Sequence, residues 1–173
     1  MLYCACKFRK EETEMTQKAL SKSLQVILAG VFIMGLALYF YVVPDFGRII
    51  AEQNPEFAYC FWPWIIFIWV TGLPIAAAMV FAWRISASIG RDRSFSQDNA
   101  RYFKYIAYLA IGDGVYYFLG NVVFAALSMS HPGFLLAGIV ITFGCLAVAE
   151  VCMVLSHLVK KAADLEEESE LTI

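Results

Sequence analysis

The sequence has little charge, few histidines and few cysteines, and each shortage argues against a class of protein. Only 16% of its 173 residues are charged, whereas 61% are hydrophobic, and a soluble domain of this length would carry more charge. There are two histidines and five cysteines, with no zinc-protease, Walker-type, nucleophile-elbow or dinucleotide-binding motif. The sequence therefore predicts that the protein is not an enzyme and that it holds no metal and no cofactor.

What the sequence does contain is four long apolar blocks. Residues 24–43 and 59–83 carry no charge, and two later blocks carry one acid each. Each block reaches the roughly 20 residues that a helix needs to cross about 30 Å of hydrocarbon. We therefore predict an all-α, polytopic membrane protein that contacts the lipid bilayer. Its transmembrane domain covers residues 23–160, with four spans at about 24–43, 59–83, 105–128 and 133–157.

The basic residues predict the orientation of these spans. The chain has 13 lysines and arginines. Twelve lie before span one, between spans two and three, or after span four, and only Arg48 lies between spans one and two. Because basic residues accumulate on the cytoplasmic side, both termini are expected there. Residues 1–22 form a cytoplasmic, partly flexible segment in this prediction, and residues 161–173 form an acidic cytoplasmic tail. The basic residues flank spans, so no direct binding of nucleic acid is predicted.

Two prolines predict irregularities in the first two spans. Pro44 is expected to end span one, after which Asp45 caps a short helix that lies in the outer interface. Pro74 lies inside span two, where it removes a backbone hydrogen bond and bends the helix. This bend is either a static packing feature or a hinge with access to water.

Two acidic residues within the spans are the strongest functional signal. Asp113 and Glu150 lie about 14 and 15 Å from the cytoplasmic end by helical rise, and an acid at such depth marks a functional site by default. Helical spacing places Tyr117 and Asn121 on the side of Asp113, and His157 on that of Glu150. We expect one shared cavity in which at least one acid holds a proton near neutral pH. A structural role and a partner-helix contact remain alternatives.

The predicted inner loop and the tail have opposite charge. The loop contains Phe95-Ser96-x-x-Asn99, in which Ser96 has the form of a helix N-cap. The tail is either a solvated end, a partner of the loop or a contact for a basic cytosolic protein. The candidate partner surface comprises Arg91, Arg93, Phe95, Asn99, Arg101, Glu166, Glu167 and Glu168.

The F-S-x-x-N loop and the acidic ending E-x-E-L-T-I make this chain similar to a known family. Over roughly residues 24–173 it resembles the bacterial membrane family catalogued as domain of unknown function 2975. The resemblance implies a small multi-pass protein of the bacterial cytoplasmic (inner) membrane. It also implies a neighbouring gene for a helix-turn-helix regulator of the phage-repressor type, and it supplies no catalytic residues.

Three functions follow as hypotheses. The first is a non-enzymatic regulatory membrane protein that holds a cytosolic DNA-binding regulator of the helix-turn-helix type and senses a signal through the two acids. The second is a small protein that binds or transports a proton, a cation or an amphiphile at the same acids. Four spans are few for a transporter, so this alternative implies a homo-oligomer. The third is a purely structural membrane protein.

Overall fold

The computed structural model describes the backbone of residues 2–130 and 132–171 and the side chains of residues 17–130 and 132–169. The last two residues of the predicted tail, and with them the end of the E-x-E-L-T-I motif, lie outside these ranges. Every regular element within them is helical. In chain order these are α1 (Leu2–Ala37), a π-helical turn (Leu38–Val42), α2 (Val43–Gln53), a 3-10 helix (Pro55–Cys60), α3 (Phe61–Ile89), α4 (Gln97–Ala126) and α5 (Pro132–Leu171).

Four helical segments are long and apolar enough to cross a membrane, which confirms the predicted fold class. They are Gln17–Gln53, Pro55–Ile89, Gln97–Ala126 and Pro132–Ser169. The segment predicted to be partly flexible is helical from Leu2, and the predicted tail continues α5 as far as Leu171. The orientation in the membrane stays a prediction. We call the end that carries residues 84–104 the inner end and the opposite end the outer end.

Helices α4 and α5 pack as an antiparallel pair through small residues. A Cβ atom added at Gly114 would lie 3.1 Å from the Cβ of Cys145, and one added at Gly138 would lie 2.7 Å from the side chain of Asn121. Small residues at these two points let the helix backbones approach closely. Towards the inner end, Ala107 and Ala149 are buried.

Helices α1 and α3 are joined at the inner end by a reciprocal pair of serines. Ser21 Oγ donates to the carbonyl of Ser86 at 2.7 Å, and Ser86 Oγ donates to the carbonyl of Ser21 at 3.1 Å. Both side chains are buried, and Gly90 leaves room for Ser21. Because a buried hydroxyl without a partner is costly, the exchange satisfies both groups and fixes the level at which the two helices cross.

The first helix does not end at Pro44, so that prediction was wrong. Ala37, Val42 and Val43 all have right-handed helical dihedral angles, and the chain is helical from Leu2 to Gln53. The π-helical turn explains how Pro44 is accommodated. A wider turn relieves the clash between the proline ring and the carbonyl of the preceding turn, and Pro44 has no N–H to place.

The residue that precedes α2 is Val42, which makes no side-chain cap, so the predicted capping role of Asp45 was also wrong. Asp45 instead lies 3.8 Å from the exposed Arg48 in the same helix. Helix α2 continues along the outer part of α3, where Gly47 contacts Phe61 and Ile65. Its predicted position in the outer interface stays a prediction.

The orientation can be tested by labelling single cysteines from outside the cell. In a background in which the five native cysteines are replaced, Gln53→Cys at the outer end should react with an impermeant maleimide. Arg91→Cys at the inner end should react only after the membrane is permeabilised. Both side chains are exposed in the folded chain, so burial does not confound the comparison. The reverse pattern would overturn the predicted orientation.

Candidate intramembrane polar site

Asp113 lies near the middle of α4 and faces the interior of the bundle. It is 9% exposed, and its Oδ1 atom is buried without a hydrogen-bond partner among the described residues. Native structures leave few buried polar atoms unpaired, and those that remain call for an explanation such as a bound water, a bound ion or a functional role. Asp113 is therefore the residue around which a site must be built.

Three tyrosines and a cysteine from three helical segments lie near this carboxyl group. Tyr39, Tyr116, Tyr117 and Cys145 are all close enough to interact electrostatically with Asp113. They come from the π-helical turn, α4 and α5. The site is thus assembled from elements that are distant in sequence, with Tyr116 and Tyr117 on the same helix as the acid.

Tyr39 is held in place through both its side chain and its backbone. In the π-helical turn the N–H of Val43 donates to the carbonyl of Leu38. The carbonyl of Tyr39 is thereby released, and it accepts a hydrogen bond from Trp69 Nε1 at 3.0 Å. The helical irregularity therefore does more than accommodate a proline, because it anchors Tyr39 to α3.

The hydroxyl group of Tyr39 lies 2.9 Å from Thr71 Oγ1. Thr71 donates its single hydroxyl proton to the carbonyl of Ile68 at 2.7 Å, so Tyr39 must be the donor of the tyrosine–threonine bond. Gly72 has no side chain, and an added Cβ would lie 3.3 Å from the Tyr39 ring. Tyr39 thus contacts Thr71 and Gly72 in the part of α3 where Pro74 interrupts the backbone hydrogen bonds.

A second unpartnered oxygen lies close to the same level. Thr142 Oγ1 is buried without a hydrogen-bond partner in the described part of the chain. The backbone carbonyl oxygen of Thr142 would lie 3.7 Å from a Cβ atom added at Gly114, the residue that follows Asp113. Two buried oxygens without a partner in the described part of the chain thus lie on facing helices at this level of the α4–α5 contact, and such groups are costly in a low-dielectric interior.

Glu150 does not join Asp113, so the expectation of a shared cavity was wrong within the single chain. Glu150 and His157 are both exposed on α5. The reason is rotation: Ala149 takes the buried position, with 3% exposure, and the next residue is turned about 100° around the helix. The sequence shows that Asp113 and Glu150 lie at equal depth. The direction in which each side chain points depends on which residue of its helix packs against the neighbouring helix.

Tyr117 and Asn121 do lie on the side of Asp113, as helical spacing predicts. Both are half-buried, and Asn121 Nδ2 donates to the carbonyl of Tyr117 at 2.8 Å. Asn121 also packs on Gly138 of α5, and the ring centroid of Tyr117 lies 5.3 Å from that of Phe67. The polar face of α4 is therefore covered by α3 and α5.

Asn99 is part of the fold of the inner loop and not of an exposed partner surface. It is 1% exposed, and its Nδ2 atom donates to the carbonyls of Arg93 and Ser94 at 3.1 and 3.0 Å. Ser96 accepts from the Asn99 N–H, which confirms the predicted cap. The F-S-x-x-N motif thus closes the loop onto the start of α4.

The other members of the predicted partner surface are exposed. They are Arg91, Arg93, Phe95, Arg101, Glu166, Glu167 and Glu168. The loop and the last helix are linked by Gln97 Nε2, which donates to Asp164 Oδ1. Arg101 lies 3.7 Å from Asp98.

Sequence reasoning missed four residues of the site, namely Tyr39, Thr71, Thr142 and Cys145. The signal for Thr71 was the adjacent Gly72-Leu73-Pro74, which marks a break in a helix. Tyr39 gave no such signal, because nothing local predicts the π-helical turn. In the ranges whose side chains are described, no group of three or more His, Cys, Asp or Glu residues is placed to hold a metal ion.

Comparison with known proteins places the chain in a family. Residues 46–173 match the family model described as "Protein of unknown function (DUF2975)". The chain belongs to this family. It is also 31% identical over 152 residues to the uncharacterized membrane protein YoaS of Bacillus subtilis (strain 168), a match that covers 87% of this chain and 95% of the relative. No solved structure matches the chain. The protein is thus a membrane protein of unknown function with four apolar helices.

The loop-closing role of Asn99 leads to a stability prediction. Asn99→Ala removes both hydrogen bonds to the loop carbonyls and should lower the free energy of unfolding by about 1–3 kcal/mol. Arg101→Ala is the matched control, since the exposed arginine should change it by less than about 0.5 kcal/mol. Equilibrium unfolding in mixed micelles measures both. Equal effects of the two substitutions would contradict the structural role of Asn99.

Proposed function

We propose that this protein is a non-enzymatic, proton-responsive protein of the bacterial cytoplasmic membrane, and that Asp113 is the group that takes up the proton. The observation that supports this most strongly is the buried Oδ1 atom of Asp113, which has no hydrogen-bond partner among the described side chains and lies in an apolar helix. An ionised acid in the middle of a transmembrane helix costs at least about 2.5–3.5 kcal/mol. A proton cancels that charge and supplies a donor for a neighbouring oxygen.

The surroundings of Asp113 favour a response over a static role. The π-helical turn of Leu38–Val42 and the interruption at Pro74 both lie in the elements that meet at the site. Such irregularities occur often at functional sites and leave backbone groups that can exchange partners. A change of charge at Asp113 would therefore act on Tyr39 and Thr71, which are joined by a single hydrogen bond.

Hydrogen exchange can test this proposal without knowledge of a downstream partner. After correction for intrinsic rates, amide protection of the peptides that contain the π-helical turn and residues 68–74 should differ between mildly acidic and mildly alkaline conditions. Asp113→Asn, which mimics the neutral acid, should fold and show the acid-state protection at both. The exposed Glu150→Gln is the matched control and should retain the response of the unmodified protein.

A response that persists in Asp113→Asn, or that disappears only in Glu150→Gln, would contradict the proposal. Repeating the measurement in sodium chloride and in choline chloride separates a proton from a small cation. A protection change that follows sodium at constant pH would assign the site to the cation instead.

The inner end supports a second candidate function, the retention of a cytosolic regulator. Helix α5 continues to Leu171 and exposes an acidic stretch there, and the loop exposes arginines. Because Gln97 donates to Asp164, the two charged surfaces are held next to each other. A basic or acidic protein surface would find complementary charge on this face.

This candidate can be tested with the helix-turn-helix regulator that family resemblance leads us to expect. Removing residues 165–173 preserves the Gln97–Asp164 bond and should release a tagged regulator from isolated membranes. Replacing Glu166 and Glu167 by Gln should weaken retention in the same direction, by less than the truncation. Unchanged retention in both variants, with normal membrane insertion, would argue against a regulatory partner at this face.

A further inference from the structure

A second feature of the interior lies at the outer end, away from Asp113. A cavity of about 200 Å³ is lined by α2 and the beginning of α3. One wall consists of Val43, Gly47, Ile50 and Ala51 of α2, which recur at the spacing of a single helical face. The charged residues of α2, Asp45, Arg48 and Glu52, fall on the opposite face.

The lining of the cavity is almost wholly apolar. The facing wall includes Phe61, Ile65 and Ile68 of α3, and Trp64 closes one side. The indole Nε1 of Trp64 already donates to the carbonyl of Met129 at 3.1 Å. Among the side chains that line the cavity, this leaves only the Cys60 thiol as a weak donor. A ligand could therefore use little but dispersion and shape, so its buried part must be hydrocarbon.

The size and position of the cavity identify the source of that hydrocarbon. An apolar cavity of about 150 Å³ stays dry and accepts a molecule such as benzene, so this one has room for a longer apolar segment. Phe46 lines the cavity yet is 61% exposed on the surface of the bundle. The cavity is thus continuous with the surface that contacts lipid. An empty space of this kind forfeits dispersion contacts, and acyl chains are the hydrocarbon at highest local concentration.

We propose that this cavity, between α2 and α3 at the outer end, binds one acyl chain of a membrane phospholipid. The inference goes beyond the proton response and is independent of it. The cavity nevertheless borders the polar site, because Val42 belongs to the π-helical turn and the carbonyl of Ile68 accepts the Thr71 hydroxyl. The occupant therefore packs against the two elements that hold Tyr39.

Native mass spectrometry of the purified, delipidated protein provides the test. Palmitoyl lysophosphatidylglycerol is the probe, and glycerophosphoglycerol, the same headgroup without a chain, is its control. The unmodified protein should retain one molecule of the first and none of the second. Ala51→Leu, which takes up part of the cavity, should reduce retention roughly tenfold, equivalent to about 1.4 kcal/mol. Ala58→Leu on the neighbouring exposed surface should leave it unchanged.

Further variants keep the outcome interpretable. Ala51→Val fills less space and should reduce retention by a smaller factor, which guards against misfolding of the leucine variant. Asp113→Asn should retain the lipid normally, so that failure of the proton proposal is separable from failure of this one. Equal retention by the Ala51 and Ala58 variants would overturn the inference, and so would retention of the headgroup without a chain or of detergent alone.

Discussion

The fold depends on one constraint: within hydrocarbon, a polar group must find its partner inside the protein. The serine exchange between α1 and α3 satisfies it at the inner end. The Trp69 indole donates to the Tyr39 carbonyl that the π-helical turn leaves without a backbone donor. The Asn121 amide donates to the Tyr117 carbonyl of its own helix. Since the bilayer offers no water to compensate, the exceptions stand out. Asp113 and Thr142, far from the helix ends, keep oxygens that nothing in the described part of the chain satisfies, as do Asn99 and Ser130 near the ends of the bundle.

The unpaired oxygen of Asp113 lies near two stretches of irregular helix, the π-helical turn and the stretch before Pro74. Pro44 and Pro74 each remove one donor from a helix, and both effects reach Tyr39. The first does so through the π-helical turn that contains Tyr39, and the second through the stretch that receives its hydroxyl. By contrast, α4 and α5 are regular helices joined by close small-residue contacts. The structure therefore combines a regular pair that carries the acid with an irregular pair that meets it at Tyr39.

Sequence reasoning succeeded where the determinant is local. Apolar length predicted four helices, and the cap at Ser96 follows from residue type. It failed where tertiary contacts decide. Whether Pro44 ends a helix depends on the widened turn before it. Whether Glu150 faces inward depends on Ala149 taking the packed position, and the burial of Asn99 depends on loop carbonyls that only the folded loop presents.

The central claim is that Asp113, in the interior of the bundle, is the group that takes up a proton. Infrared difference spectroscopy of the protein in lipid, recorded as the pH is lowered, measures this most directly. The account predicts one protonated-carboxyl stretching band from an apolar environment, present in the unmodified protein and in Glu150→Gln and absent from Asp113→Asn. The same band in Asp113→Asn, or its loss in Glu150→Gln, would contradict it.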